Sequence, residues 1–315
     1  MKPKVLISRC LGFDNCRYNG AVVKFELLDT MKDVIEFIPV CPEVAIGLGV
    51  PRESLRLIKV HDKVDLVQPK SKKYLTDDMK KYSQETLERF SDVDGFILKG
   101  RSPSCGIKDV KVYSGMEKSP VTEKNTGVFA SEVLKKFPYL AIEDEGRLTN
   151  RAIREHFFTK LYTLFDFKNM AKNNSMKELS DFHAKNKYLY FAYDQIQRKK
   201  LGLIVANHEK IQIEIVIKNY FAEMVKLFAN LPSKKNYFNA YQHMFGYFSN
   251  HVSQEEKVFI FDLMDKYKND RIDRSAIASV LKSYSIKYNM VYLLKQTIFE
   301  PFPEQLLLLK DSGKD

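Results

Sequence analysis

The 315-residue sequence predicts an α/β N-terminal domain with a parallel sheet, followed by an all-α C-terminal domain. Three observations carry that expectation. Residues 1–160 alternate short apolar or β-branched runs with stretches of helical length, the pattern of βαβ units. From about Arg151 onward apolar residues recur at helical spacing with few breakers. The second half also takes 25 of the 39 Phe and Tyr residues, enough to fill an aromatic helical core.

Each element follows from local signals. Val5–Ser8, Val34–Val40 and Gly95–Lys99 are short runs bounded by Gly, Pro or charge and read as buried strands. Ala21–Met31 and Thr76–Phe90 read as the intervening helices, the latter opening on the capping sequence Thr76-Asp-Asp. Leu140–Ile142 adds a strand that leads into Glu143-Asp-Glu-Gly-Arg147. An Arg151–Phe167 helix comes next, and the change of pattern there places the domains at residues 1–160 and 161–315. In the second domain Met176–Tyr193, Gln212–Leu227, Tyr237–Phe248, Gln254–Lys268, Arg274–Tyr284 and Tyr288–Phe299 carry helical periodicity, and Pro301-Phe-Pro303 stops the last of them.

Composition narrows the function classes. A hydrophobic share of 44% with 29% charged residues excludes global disorder. Four cysteines are too few for a disulfide scaffold. The opening Met1-Lys-Pro-Lys runs straight into a strand with no apolar stretch of signal-peptide length, and no run approaches the roughly 18 residues of a spanning helix. A reducing cytoplasm is the expected compartment, with thiols free for metal binding or catalysis. The net charge of +11 is uneven: residues 1–160 hold 28 basic and 23 acidic side chains, residues 161–250 hold 13 and 7, and residues 251–315 hold 10 and 10. The excess at the start of the second half reads either as lysine-rich solvation or as a surface for an anionic partner such as RNA.

Cys10, Cys16, Cys41 and Cys105 all lie in the α/β half and outside its predicted elements. Cys10 and Cys41 follow strands almost at once, and Cys105 lies in the loop Gly100-Arg-Ser-Pro-Ser-Cys-Gly106 after a third. In an open parallel sheet those loops leave one edge, the carboxyl ends of the strands, where ligands bind. The absence of any CxxC pair or neighbouring His disfavours a zinc ribbon and a thioredoxin-type redox pair. Thiolates drawn from separate loops suit an iron–sulfur cluster, with the number of ligands left open. Cys41-Pro-Glu43 sets a carboxylate beside a candidate ligand, suitable for moving a proton or activating water. Ser102 and Ser104 bring hydroxyls to the loop of Cys105, and Arg17-Tyr18 and Pro51-Arg52 offer cationic and stacking groups.

The motifs Ile7-Ser-Arg-Cys10-Leu-Gly, Cys16-Arg-Tyr-Asn-Gly20, Cys41-Pro-Glu43, Gly47-Leu-Gly-Val-Pro-Arg52, Leu98-Lys-Gly-Arg-Ser-Pro-Ser-Cys-Gly106 and Glu143-Asp-Glu-Gly-Arg-Leu148 together resemble the thiouracil desulfurase (desulfidase) family over residues 1–160. The resemblance implies an oxygen-sensitive [4Fe–4S] cluster on Cys10, Cys41 and Cys105 with one iron open, Cys16 an accessory thiol, and Glu43 and Ser102 the catalytic positions. The second half is similar to YbgA-type domains, through Phe182-His-Ala-Lys-Asn-Lys-Tyr188, Leu201-Gly-Leu-Ile-Val-Ala206, Tyr241-Gln-His-Met-Phe-Gly-Tyr-Phe248, Gln254-Glu-Glu-Lys257 and the stretch from Gln296 to Leu306. Arg271-Ile-Asp-Arg-Ser departs from that pattern.

Proteins of this two-domain layout resemble desulfidases of 4-thiouridine in tRNA. That resemblance implies loss of sulfur from a thiocarbonyl, giving uridine and hydrogen sulfide without electron transfer. Glu43 would assist the attacking water and Ser102 would orient or protonate the base. No GxGxxG or Walker-type loop is present to bind a nicotinamide or other nucleotide cofactor, and no flavin is required. For the RNA, Lys185, Lys187, Arg198, Lys199, Lys200, Lys234 and Lys235 are candidate phosphate ligands. Tyr188, Tyr190, Tyr193, Tyr237 and Tyr241 among them read either as base-stacking groups or as core. Arg17, Tyr18, Arg52 and Ser104 are candidate substrate contacts. His183, His208, His243 and His251 are too scattered for a metal site and read as packing or capping residues. Two rival readings are a desulfidase of free thiopyrimidine bases or nucleotides with a structural helical domain, and a non-catalytic metal or redox sensor that binds RNA.

Overall fold

The computed structural model describes residues 1–313. The fold class is the expected one, an α/β region followed by a helical region, and the chain divides into two compact units. The first comprises Met1–Leu161 and the segment from Gln305 onward; the second comprises Tyr162–Glu304. Among the described residues no helix is long and apolar enough to cross a membrane.

In the first unit β1 (Lys4–Ser8), α1 (Leu28–Met31), β2 (Glu36–Val40) and α2 (Pro42–Ala45) are followed by a hairpin, β3 (Arg56–Val60) and β4 (Lys63–Gln68), and the short β5 (Lys73–Tyr74). After α3 (Thr76–Arg89) come β6 (Gly95–Leu98), β7 (Val110–Tyr113), β8 (Val121–Asn125), α4 (Val128–Lys136), β9 (Ala141–Asp144) and α5 (Arg151–Ala171). β2-β1-β6-β9 form a four-stranded sheet in which every pair is parallel, with Val5 opposite Phe37 and Gly95, and Phe96 opposite Ile142. Val5, Leu6, Ile7, Phe96, Ile97 and Leu98 are fully buried, as continuous apolar runs must be when a parallel sheet is covered on both faces.

β5-β4-β3-β7-β8 form a second, five-stranded sheet that the sequence reading missed. It is antiparallel except at β3–β7, and β3 meets β4 through the two-residue turn His61-Asp62. Its strands mix lysines and acids with apolar residues, so no single run stands out. The expected helix Ala21–Met31 shrinks to Leu28–Met31. The stretch before it is held by the first cysteine loop instead: Val23 N–H donates to Cys10 O at 2.7 Å and Arg17 N–H to Ala21 O at 3.4 Å.

The segment from Gln305 belongs to the first unit because buried Arg154 gathers it in. One guanidinium nitrogen donates to Leu148 O and Thr149 O, the other to Leu308 O at 2.8 Å and Lys310 O at 2.6 Å.

In the second unit the end of α5 is followed by α6 (Met176–Tyr193), α7 (Gln195–Ala206), α8 (Ile213–Leu227), α9 (Lys234–Phe245), α10 (Gln254–Lys268), α11 (Arg274–Lys287) and α12 (Val291–Leu294). Side chains at Ser175, Asp194, Ser233, Ser253 and Asp273 accept from first-turn N–H groups and fix five of the helix starts. The expected helix Tyr288–Phe299 is only Val291–Leu294, since Asn289 turns left-handed (φ 53°) and Thr297 N–H pairs with Lys185 O. Tyr188, Tyr190, Tyr193, Tyr237 and Tyr241 are all buried, so these five rings are core and none of them can stack on a base. His183 bonds Tyr220 OH at 3.0 Å, His243 packs on Phe191, and His251 stacks on Tyr288, each a packing role.

Candidate active site

Because β1, β2, β6 and β9 are parallel, their carboxyl ends share one edge, and the loops leaving that edge hold all four cysteines. Cys10 and Cys16 lie in the loop after β1. Cys41 caps α2, where Pro42 supplies the preset φ of a first helical residue and Glu43 enters the first turn. Cys105 lies in the loop after β6. That loop is clamped by the start of α4, whose Val128 and Ala130 N–H groups bond Pro103 O and Ser104 O at 3.1 Å each. Gly127 is required there: a Cβ at this position would lie 2.6 Å from the Ser104 carbonyl.

The four cysteines line one cavity of about 370 Å³, together with Ser8, Arg17, Tyr18, Glu43, Arg52, Lys99, Arg101 and Ser102. Burial pushes the Cys10 thiol up to about 11 and Cys16 up to about 12, each helped by the neighbouring Cys41. Burial raises Cys105 well above the ordinary thiol value, opposed by a hydrogen bond with Ser8 and reinforced by Glu43. Lys99 and Arg17 pull Cys10 the other way. Thiols so raised hold their protons, and a metal that binds them must displace those protons.

The donor set, four thiols with no histidine among the described residues of the cavity wall, fits an iron–sulfur group.

Beside the thiols, Glu43 is fixed on both oxygens. Arg52 donates to its Oε2 through Nε at 3.0 Å and Nη2 at 2.5 Å, and Ser104 Oγ donates to its Oε1 at 2.9 Å. Arg52 Nη1 donates to Cys16 O at 2.9 Å and Gly49 O at 3.2 Å, so this guanidinium ties the Cys16 loop to the Glu43 carboxylate. The two serines differ in place. Ser102 lines the cavity, and its Oγ accepts from Ser104 N–H and Cys105 N–H at 3.2 Å each. Ser104 is fully buried, and its hydroxyl is turned to Glu43. Tyr18, 44% exposed, stands at the wall with Arg17 5.6 Å from its ring centre.

Sequence reasoning gave no role to Lys99, Glu145 or Ser8. Lys99 Nζ pairs with Glu145, Glu145 accepts from Gly100 N–H at 2.7 Å, and Ser8 Oγ accepts from Lys99 N–H at 2.9 Å. Lys99 is the first residue past β6 and Glu145 the first past β9, so the strand-end argument that singled out the cysteines reaches them too. Of the other candidates, Lys185, Lys187, Lys199 and Lys200 belong to the second unit, on α6 and α7. Lys199 and Lys200 are exposed, while Lys185 and Lys187 are half-buried, Lys185 with Asp166 at 3.7 Å.

Residues 5–145 match the 2-thiouracil desulfurase family, and residues 187–303 match DUF1722, a family of unknown function. An uncharacterised protein of Escherichia coli K12, YbgA, is 27% identical over 136 residues, covering 43% of this chain and 80% of that protein. An uncharacterised protein of Bacillus subtilis 168, YbbK, is 30% identical over 109 residues, covering 32% of this chain and 72% of that protein. A solved structure described as the [4Fe-4S]-dependent thiouracil desulfidase TudS aligns with a TM-score of 0.36 and 24% identity, covering 47% of this chain and 93% of its own. With its cysteine-lined N-terminal unit and its helical DUF1722 region, the chain belongs to the 2-thiouracil desulfurase family.

Proposed function

We propose that this protein is a non-redox desulfidase that removes sulfur from 4-thiouridine in tRNA, giving uridine and hydrogen sulfide in the reducing cytoplasm. One observation carries the reading: four free thiols from three strand-end loops line a single cavity whose wall also holds an ion-paired carboxylate. Cys10, Cys41 and Cys105 would hold a [4Fe–4S] cluster, with Cys16 an accessory thiol. When bound, the cluster supplies an open iron, a soft Lewis acid for a thiocarbonyl sulfur.

The chain's own residues supply the rest. Glu43, fixed by Arg52 and Ser104, accepts a proton from the water that attacks the ring carbon on a remaining carboxylate lone pair. Ser102 orients the base from the cavity wall, and Tyr18 offers a face on which a pyrimidine stacks. The positive excess of residues 161–250, with Lys199 and Lys200 exposed on α7, supports phosphate contacts by the helical unit.

The test is anaerobic reconstitution with iron and sulfide, followed by measurement of hydrogen sulfide from tRNA containing 4-thiouridine. Turnover is expected, and a Lys199→Gln/Lys200→Gln variant should weaken tRNA binding and flatten its salt dependence. Iron uptake without sulfide release from any thiolated substrate would sink the enzymatic reading.

A further inference from the structure

Ser8 closes β1, a strand whose Val5, Leu6 and Ile7 are fully buried, and is itself only 2% exposed. A hydroxyl so placed is costly unless its oxygen and its proton both find partners. The oxygen has one: past Ile7 and Ile97, the last paired residues of β1 and β6, Lys99 N–H donates to Ser8 Oγ at 2.9 Å. That bond fixes the oxygen and leaves the proton for another acceptor. Among the described residues the Ser8 O–H meets no oxygen or nitrogen acceptor. Ser8 lines the thiol cavity, and the group its hydroxyl meets there is the sulfur of Cys105.

The three candidate ligands are not equivalent. Cys10 and Cys41 are half-buried, whereas Cys105 is buried. Cys41 Sγ faces Cys16 O at 3.9 Å, and Cys10 lies in the field of Lys99, Glu145 and Arg17. Cys105 has instead a neutral hydroxyl, held from behind by a backbone N–H. A hydrogen bond to a ligand sulfur draws electron density away from the metal, and iron–sulfur centres respond to such bonds. Here Lys99 N–H, Ser8 O–H and the Cys105 sulfur stand in series, so the first bond polarises the second.

We infer that Ser8 is a positioning residue of the reacting centre: aimed by Lys99 N–H, its hydroxyl donates to the Cys105 sulfur once that sulfur is a metal thiolate. The bond lowers the electron density of the cluster and makes its open iron a stronger acceptor for a thiocarbonyl sulfur. The inference rests on the proposed cluster and on nothing about the RNA. Glu43 and Ser102 serve the water and the base, whereas Ser8 acts through Cys105 alone. A serine present only for packing would leave the centre's electronics indifferent to its hydroxyl.

The full-length protein is reconstituted anaerobically with iron and sulfide as wild type, Ser8→Ala and Ser8→Thr, and its reduction potential is read by spectroelectrochemical titration. The potential should fall in Ser8→Ala with iron content unchanged, because the more negative, reduced state loses more with the missing bond. The expected fall is roughly tenfold in the one-electron equilibrium, about 59 mV, and Ser8→Thr should restore it. Electron–nuclear double resonance of the reduced centre, before and after transfer to heavy water, should show an exchangeable proton coupled to the cluster that Ser8→Ala lacks. The wild-type spectrum stands even where a variant fails to load: no exchangeable coupled proton there overturns the inference by itself. An unchanged potential and unchanged couplings in Ser8→Ala overturn it too, and leave Ser8 a packing residue. Both shifts without sulfide release from any thiolated substrate would defeat only the desulfidase reading. Sulfide release with neither shift would defeat only this inference, and a wild-type chain that takes up no cluster would defeat both.

Discussion

The four-stranded sheet β2-β1-β6-β9 and the five-stranded sheet β5-β4-β3-β7-β8 lie in one unit and divide its chemistry between them. In the first every pair is parallel, so four strand ends open at one edge, and there the thiols meet carboxylates paired to cations: Glu43 with Arg52, Glu145 with Lys99. In the second, mostly antiparallel, Arg56, Lys111 and Lys124 stand along the strands and line a cavity of their own. The difference teaches where each kind of site is built. Loops at a parallel edge converge on a point and suit a reacting centre. A strand face presents charges at fixed spacing along its length instead.

A series of substitutions and one titration test this picture, from the largest effect down. Replacing Cys10, Cys41 or Cys105 with Ser should abolish both iron uptake and sulfide release, whereas Cys16→Ser should keep its iron. Iron analysis and the cluster's visible absorbance decide this, and equal loss in Cys16→Ser would make it a ligand. Glu43→Gln should lower sulfide release about 10²–10⁴-fold with iron retained, the usual cost of losing a general base. If Glu43→Gln keeps full turnover, the base lies elsewhere.

Arg52→Lys loses the two-point grip on Glu43 and the bonds to Cys16 O and Gly49 O. Turnover should fall roughly tenfold, mostly in kcat. A change in KM with kcat untouched would show that Arg52 serves binding and not the Glu43 carboxylate. Gly127→Ala forces a Cβ against the Ser104 carbonyl and should cost about 1–3 kcal/mol, read as a lower denaturation midpoint with reduced iron uptake. A midpoint unchanged from wild type would show that the Cys105 loop yields.

The smallest effect concerns pH and touches both units. Burial holds His156 in the first unit and His183 in the second down at about 4, aided by Lys160 for the former and by Arg198 and Lys187 for the latter. The folded values lie below the ordinary 6.5, so the unfolded chain binds protons that the folded chain refuses. The contribution of these histidines is full above pH 6.5 and is lost as pH falls toward 4. Histidine NMR titration should show both rings neutral at pH 5; protonation of either near 6.5 would contradict the burial argument.

Much of this was legible in the residues, and what was not has physical causes. β1, β2, β6 and β9 are apolar runs because both faces of a parallel sheet are covered, and that made them visible with the cysteines at their ends. β3, β4, β7 and β8 were invisible because they interleave lysines and acids with apolar residues and draw their stability from cross-strand pairing. The helix expected at Ala21–Met31 was lost because its first half hydrogen-bonds the Cys10 loop, a partner no local window contains.

The sequence by itself determined the fold class, the thiols at strand ends and the carboxylate beside Cys41, because these depend on residue type and short-range order. Only the tertiary structure decided which polar groups meet. It gave Glu43 to Arg52 and Ser104, placed five tyrosines in the core, and brought all four thiols to one cavity. Those meetings join residues up to 61 positions apart in the case of Ser104 and Glu43, and such a distance is closed by the pairing of strands and by no local preference.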